Sequence, residues 1–381
     1  MATNAKVEVK NQDVVTSLQT FLKSVLEQDQ IGAMLVSQHL PMKNVVMPTL
    51  VTDPEALDQA DPLAPSFPLN AAKVVSRLTR KPSGAKIAAI LRPCEIRAFV
   101  ELVKLHQADR ENLILIGYDC LGAYQNTDYT MIARKHGEKT TQKFCEQVLS
   151  ENELSSDDIQ IAVACKACEH PVPEGVDLTI GLLGVPVKEY LWIKADTDAG
   201  EKILDHLNFS SADEPADRKK AVETLIEKRL AFRDRMFEEN QEATKDIEKL
   251  ATYLAGCVNC YNCRVACPVC YCRECVFVTD VFDHEPSQYV RWAKRKKLIK
   301  MPTDTVFFHI TRLAHMSTAC VGCGQCSNAC PNDIPVMELF RTVAHKTQQA
   351  FDYEAGRNLE EPPPLSVFKE EEFKELTAVN E

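Results

Sequence analysis

The chain has 381 residues, enough for two or three domains, and its 45% hydrophobic content can fill sizeable cores. A net charge of −11 excludes a general nucleic-acid binder, because neutralising phosphates takes clustered Lys and Arg. With no signal peptide in MATNAKVEVKNQD and no apolar run long enough for a bilayer, the 16 cysteines predict a soluble cytoplasmic protein that spends thiols on metal rather than on disulfides.

Val14 to Gln28 has helical apolar spacing, and IGAMLVS from Ile31 reads as a buried strand. The Pro- and Asp-rich TDPEALDQADPLAPSFP is a loop with a short helix at Glu55, and Asn70 to Arg80 is the next helix. KIAAIL from Lys86 is a strand of the continuous apolar kind found in parallel sheets. It stops at Arg92-Pro93-Cys94, and Glu95 to Leu105 resumes helical spacing. NLILIG from Asn112 is a strand ending at Tyr118-Asp119-Cys120, and IQIAVAC from Ile159 is expected to be another, ending at Cys165 and Cys168. Strands alternating with helices predict an α/β domain.

Cys94, Cys120 and Cys165 each follow the C-terminal end of an expected strand, the edge where ligand sites gather in parallel sheets. With Cys168 they either converge as a third cluster site or are ordinary small buried residues. Cys145, inside the helical TTQKFCEQVL, reads as packing. From Ser211 to Ile247 charged helix formers take over, a solvated linker at a domain boundary.

The strongest motif follows. Cys257, Cys260, Cys263 and Cys267 form C-x-x-C-x-x-C-x-x-x-C before Pro268, and the spacing recurs at Cys320, Cys323, Cys326 and Cys330 before Pro331. Two such runs are the signature of a ferredoxin-type module holding two [4Fe–4S] cubanes, each on three cysteines of one run and the last of the other. Cluster A then uses Cys257, Cys260, Cys263 and Cys330, and cluster B uses Cys320, Cys323, Cys326 and Cys267. The runs are 52 residues apart, Pro268 to Ala319, longer than in a minimal ferredoxin. HITRLAHMSTACVGCGQCSNACPNDIPVMELF, from His309, resembles the helical diclusters of heterodisulfide-reductase-type and succinate-dehydrogenase-type subunits. Cys270, Cys272 and Cys275 are surplus: a further metal site, a shield for cluster A, or packing thiols. Arg291 to Lys300, RWAKRKKLIK, is the one strongly basic run, either a solvated helix face or a docking patch for an acidic partner. His309 and His315 read as ordinary helix residues. The tail after Asp352, with Pro362-Pro363-Pro364 and Lys369-Glu370-Glu371-Glu372, reads as an extended acidic arm.

Residues 12–208 resemble the beta subunits of coenzyme F420-reducing hydrogenase and F420-dependent formate dehydrogenase. The family's G-T-P-C-Q turn is matched by Arg92-Pro93-Cys94-Glu95, with Leu91-Arg92 in place of G-T and Glu95 in place of Gln. Its G-L-F-C segment is matched by Gly117-Tyr118-Asp119-Cys120, and its C-x-x-C by Cys165 and Cys168. Its A-D-I-S-V-G-x-x-G is matched from Val176 to Gly184. The resemblance implies an FAD-binding domain in which Cys94, Cys120, Cys165 and Cys168 hold a [4Fe–4S] cluster beside the flavin. By position it implies flavin contacts at Thr16, Ser66, Asn70 and Lys73, and close backbone approach to the cofactor at Gly181 and Gly184; Arg92, which departs from the family's turn, is expected to pair with a flavin phosphate, a carrier carboxylate or merely a nearby acid. No G-x-G-x-x-G occurs, which disfavours an ordinary dinucleotide site.

The expected organisation is therefore an α/β flavin-binding domain at 1–210, a charged helical linker at 211–250, a mainly α-helical ferredoxin-type dicluster at 251–350 and a tail at 351–381. The expected function is that of an oxidoreductase subunit. Electrons exchange between a two-electron carrier (F420 or NAD(P)H) and FAD, pass to the cluster of the N-terminal half, then to clusters A and B. The partner is a formate dehydrogenase, hydrogenase or heterodisulfide-reductase-like complex, and no protein nucleophile or acid/base pair is needed. The competing expectation is a flavin-free iron–sulfur relay.

Overall fold

The structure is a computed structural model and describes residues 4–41, 45–151, 160–207 and 209–367. Eight strands, β1 (Asn4–Glu8), β2 (Ile31–His39), β3 (Val46–Val51), β4 (Lys86–Leu91), β5 (Leu113–Tyr118), β6 (Leu178–Gly181), β7 (Tyr190–Ala195) and β8 (Ser210–Ser211), form one sheet. Their order is β3-β2-β4-β5-β6-β7-β1-β8. β2, β4, β5 and β6 run parallel, with Ile87 opposite Leu113 and Leu91 opposite Gly117, while β3, β7, β1 and β8 join antiparallel. The sheet is thus mixed.

Alternation along the central strands builds two cores. Ala88, Ile90, Ile114 and Ile116 face the Val14–Leu26 helix, and Ala89, Leu91, Leu113 and Leu115 face the Ala72–Thr79 and Pro93–Lys104 helices. The second helix starts where β4 ends because Pro93 can open a helix and Glu95 folds back, its carboxylate accepting from the Arg92 amide at 2.9 Å and the Ala71 amide at 2.7 Å. That sharp entry puts Cys94 at the sheet's C-terminal edge.

Several expectations differ from the structure. IQIAVAC is not a strand over its described residues: Ile161 is a buried loop residue and Val163–Lys166 is a short helix. A short apolar run does not distinguish a strand from another buried segment, and here the Ala162 amide bonds the Ala123 carbonyl at 2.8 Å instead of joining the sheet. β6 takes the parallel position instead; its polar neighbours conceal it, since Asp177 and Thr179 turn to internal partners Thr197 and Asp196. The charged linker is a single helix, Arg218–Ala243. Its first residue is built into the sheet domain, where Arg218 is buried and bidentate on Asp119 at 2.5 and 3.0 Å.

The C-terminal region is helical, with helices Ile247–Tyr253, Asn262–Ala266, Pro286–Lys296, Thr305–Met316, Gln325–Asn328 and Val336–Ala350. Its core joins Phe277, Phe308, Leu339 and Phe340 to half-buried cysteines. It docks on the strand edge: Gln325 Nε2 and Asn328 Nδ2 donate to the Phe67 carbonyl at 2.8 and 2.9 Å. The start of the tail is not a free arm. Tyr353 and Ala355 are buried in the second core, and the Tyr353 hydroxyl and Gly356 amide both donate to Glu101 Oε1, at 2.6 and 2.7 Å. The acidic run at Lys369 lies outside the described residues. Among the described residues no helix is long and apolar enough to cross a membrane.

Candidate functional site

The two cysteine runs interleave. Cys257, Cys260 and Cys263 of the first run and Cys330 of the second line one small pocket, walled by Tyr261, Phe308, His309 and Ile334. Positive φ at Asn259 (50°) and Tyr261 (59°) turns the backbone between successive cysteines so that they face inward. In the other group, burial pushes the Cys323 and Cys326 thiols up, and each is raised further by Cys267. Cys320 is raised the same way, with Arg341 opposing. Cys267, Cys320, Cys323 and Cys326 therefore share one electrostatic neighbourhood. Both groupings follow the interleaving expected for clusters A and B. Among the described residues no three His, Cys, Asp or Glu side chains come close enough to hold a single ion; cubane ligands sit further apart, since each binds a different iron.

At the sheet edge, Cys94, Cys120, Cys165 and Cys168 converge. Burial raises Cys94 well above the usual thiol range, with Cys120 and then Cys323 adding to it. Burial pushes Cys165 up to about 12, with Cys120 raising it and Arg229 opposing. Arg229 is buried and donates to the Cys120 and Cys168 carbonyls at 3.2 and 3.5 Å. Burial opposes the thiolate here, and the Arg229 guanidinium, which lowers Cys165, works in its favour. Cys94 adjoins Cys323, so this quartet neighbours cluster B, and cluster A lies beyond.

Between A and B sits Arg312, 3% exposed, donating from Nη1 to Cys263 Sγ at 3.1 Å and from Nη2 to the Cys263 carbonyl at 3.2 Å. It lies over the Phe340 ring at 4.7 Å. Burial works against its charge, but the Cys263, Cys267 and Cys326 thiols outweigh it and hold the guanidinium protonated. One turn earlier, His309 Nε2 lies 3.4 Å from Cys257 Sγ. Burial and then Arg312 hold its imidazole down to about 4. The i, i+3 spacing of His309 and Arg312 in HITRLAH is the sequence signal that one helix face meets the thiols.

Of the residues expected at a flavin, the structure brings three together. Ser66 and Asn70 are buried in the loop beside Arg92, whose guanidinium lies 4.9 Å from the Phe67 ring centroid. Arg92 donates to the Tyr118 hydroxyl at 2.9 Å and the Ala64 carbonyl at 2.7 Å. Asn70 also eases the Cys323 thiol towards deprotonation, against burial and Cys267. Lys73 instead reaches the dicluster region, donating to the Val265 carbonyl at 2.8 Å. Thr16 is exposed and capped onto Asp13 at 2.7 and 3.0 Å. Close approach at Gly181 and Gly184 is to the chain itself: an added Cβ would meet Trp192 at 2.5 Å or the Arg218 Cα at 2.5 Å. Cys145 is buried in the first core, as expected of a packing residue. Cys270 is raised by burial and by Cys267, placing it against cluster B's ligand, while Cys272 is exposed.

Residues 84–212 match the family described as the C terminus of the coenzyme F420 hydrogenase/dehydrogenase beta subunit, and residues 253–334 match the 4Fe-4S dicluster domain. The F420-dependent formate dehydrogenase subunit beta of Methanocaldococcus jannaschii is 25% identical over 350 residues, covering 84% of this chain and 86% of its own. The subunit beta of F420-dependent formate dehydrogenase 1 of Methanococcus maripaludis is 27% identical over 309 residues, covering 74% and 76%. A chain from a structure of the F420-reducing [NiFe] hydrogenase complex of Methanosarcina barkeri aligns with a TM-score of 0.45 and 14% identity, over 65% of this chain and 94% of that one.

Proposed function

We propose, for a chain that joins a coenzyme F420 hydrogenase/dehydrogenase beta-subunit region to a 4Fe-4S dicluster domain, an electron-transfer role within a cytoplasmic formate dehydrogenase or hydrogenase complex. It exchanges electrons between a two-electron carrier, F420 or NAD(P)H, and a partner redox subunit. The observation that carries this reading is the packing of the second cysteine run on the sheet edge: a Cβ on Gly324 would meet the Ala164 Cβ at 2.5 Å, which sets Cys323 beside the residues that carry Cys165, and Gln325 bonds the Phe67 carbonyl at 2.8 Å.

The donor sets fit [4Fe–4S] cubanes: four thiols per site and, at the outer one, backbone turns between successive cysteines that aim sulfurs inward. Cys94, Cys120, Cys165 and Cys168 hold the inner one, Cys267, Cys320, Cys323 and Cys326 the middle one, and Cys257, Cys260, Cys263 and Cys330 the outer one. A flavin also fits beside the inner set, because the Arg92 Nη1, buried and without a hydrogen-bond partner, waits there for an acceptor. When bound, a flavin supplies the switch between hydride and single electrons. The chain's own work is to seal that switch from water and to hold the thiolates in order. Arg92, anchored on Tyr118 and Ala64, orients an anionic or carbonyl group. Arg229 and Arg312 bring positive charge to where added electrons arrive, which favours reduction.

Anaerobic purification with flavin extraction and iron assay tests the reading. Bound FAD with about 12 iron, three cubanes, supports it. About 8 iron without flavin leaves a relay and overturns the flavin-dependent form. A spectrophotometric screen of F420, NADH, NADPH and reduced ferredoxin then identifies the carrier.

A further inference from the structure

We infer that Asp61, Arg92 and Tyr129 form a receptor for the imide edge (carbonyl, N–H, carbonyl) of a flavin or 5-deazaflavin ring. This rests on the flavin-dependent reading above and goes further by assigning the atoms that grip the ring.

Asp61 and Arg92 are pinned by every polar atom but one. Asp61 Oδ2 lies 2.9 Å from His39 Nε2 and accepts from the Thr141 hydroxyl at 2.5 Å, while its Oδ1 is buried with no hydrogen-bond partner. Arg92 is fixed through Nε and Nη2, while its Nη1 is buried with none. Tyr129 is the third residue, its hydroxyl buried and also unpartnered. The three side chains are only 3%, 5% and 2% exposed. They meet around Ala64, whose carbonyl holds Arg92 and whose methyl packs with Tyr129. The Ala64 amide closes a turn onto the Asp61 carbonyl at 3.3 Å. Burial, with Asp61 adding to it, pushes the Tyr129 phenol up, so it stays a donor.

A buried polar atom without a partner costs about 1–3 kcal/mol. Three around one residue, each on an oriented side chain, are the mark of a site built for a ligand. The set reads donor, acceptor, donor: guanidinium N–H, carboxylate oxygen, phenol O–H. The imide edge is its complement. The sequence pointed to Arg92 alone; Asp61 lies in a Pro-rich loop and Tyr129 in the Asn126–His136 helix, and neither carried a motif.

Reconstitution of the anaerobically purified full chain, stripped of flavin, tests the receptor by fluorescence titration with FAD, F420 and FAD methylated at N3. Tyr129→Phe and Asp61→Asn are each expected to weaken the ligand about tenfold, the worth of one buried hydrogen bond. Thermal stability of the flavin-free chain should not fall in Tyr129→Phe, which removes a hydroxyl that bonds nothing. The wild type should reject the N3-methyl analogue, and Asp61→Ala should lose that discrimination. Which of FAD and F420 shows these losses identifies the ring that sits there. If flavin binds the wild type but the variants and the N3-methyl analogue bind equally well, the cluster is a water-filled polar pocket only and the receptor is overturned. If the wild type takes up neither FAD nor F420, the flavin-dependent function itself falls.

Discussion

At the sheet edge, Cys94, Cys120, Cys165 and Cys168 lie beneath two packed domains, with the buried Arg229 donating to the backbone beside them. At the other end of the array Cys260 is exposed, Val258 and Val265 are more than half exposed, and the Pro286–Lys296 helix buries no residue at all. The inner end is built by packing: strand termini, a Pro-initiated helix and two cores fix where each cysteine sits. At the outer end the cysteines are part of the core: buried Cys263 and several half-buried thiols pack with Leu254, Val269, Phe277, Phe308, Ile334, Leu339 and Phe340. The inner thiols sit at the ends of strands and helices held by other residues, whereas the outer thiols take part in the core that holds them. Isolation from water would suit an end that meets a hydride carrier, and exposure would suit an end that hands electrons to another protein.

Cys267 tests this contrast most severely, because it stands in the first run but belongs to cluster B. In Cys267→Ala the middle site loses a ligand, about 4 of about 12 iron should be lost, and the outer cluster should no longer reduce from the inner one in rapid-mix EPR. Retention of full exchange would remove B from its place between the two ends. Glu101 should come next. It is 1% exposed and holds Lys104, Tyr353 and the Gly356 amide, so it ties the tail and the dicluster to the sheet domain. Glu101→Gln leaves Lys104 buried without its ion pair and should cost about 3 kcal/mol. The loss should appear in denaturant titration as release of the helical region while the sheet domain persists; a single unchanged transition would show that the two regions are not joined there.

Arg312 separates electrostatics from architecture. Arg312→Gln removes a positive charge from between A and B, and should lower both midpoint potentials. Each ~1.4 kcal/mol of lost attraction corresponds to about 59 mV for one electron. Arg312→Lys should restore most of the shift if charge is the cause, and redox titration followed by EPR reads both. An unchanged potential would reduce Arg312 to a packing residue.

The inner end was more legible than the bridge to it. KIAAIL and NLILIG declare parallel strands because both faces are buried, and cysteine spacing declares cubanes because the ligands come from one short turn. β6 was illegible because its polar residues are satisfied internally, by Asp196 and Thr197, which makes a buried strand look like loop. IQIAVAC misled for the opposite reason: Ile161 is buried against Gly122, where an added Cβ would meet it at 2.9 Å, so an apolar run served loop packing. Gly181, Gly184 and Lys73 make close approaches within the chain, to Trp192, Arg218 and the Val265 carbonyl, that no local pattern encodes. The Arg312 and Glu101 contacts span 49 to more than 250 residues, and no local pattern encodes them.

The smallest effect belongs to the outermost surface. Beside cluster A, a groove of about 590 Å³ is lined by Leu254, Ala255, Trp292, Arg295, Lys296 and Lys300. Its Leu254 wall leads straight to a ligand, since the Cys257 amide bonds the Leu254 carbonyl at 3.0 Å. Leu298 on its rim is 80% exposed. An acidic chain that gathers its basic run beside its most exposed cluster would attract an acidic redox partner there. Exposed charges act mainly on encounter, and salt screens them beyond about 8 Å at physiological ionic strength. Arg295→Glu with Lys296→Glu should therefore slow second-order electron exchange with an acidic ferredoxin-type protein about tenfold at low salt, leave cluster content and potentials unchanged, and converge on the wild-type rate near ~0.5 M salt. Stopped-flow rates against ionic strength make the measurement. A slope no steeper in the wild type than in the double variant would return the run to a solvated helix face and put the exit elsewhere on the outer end.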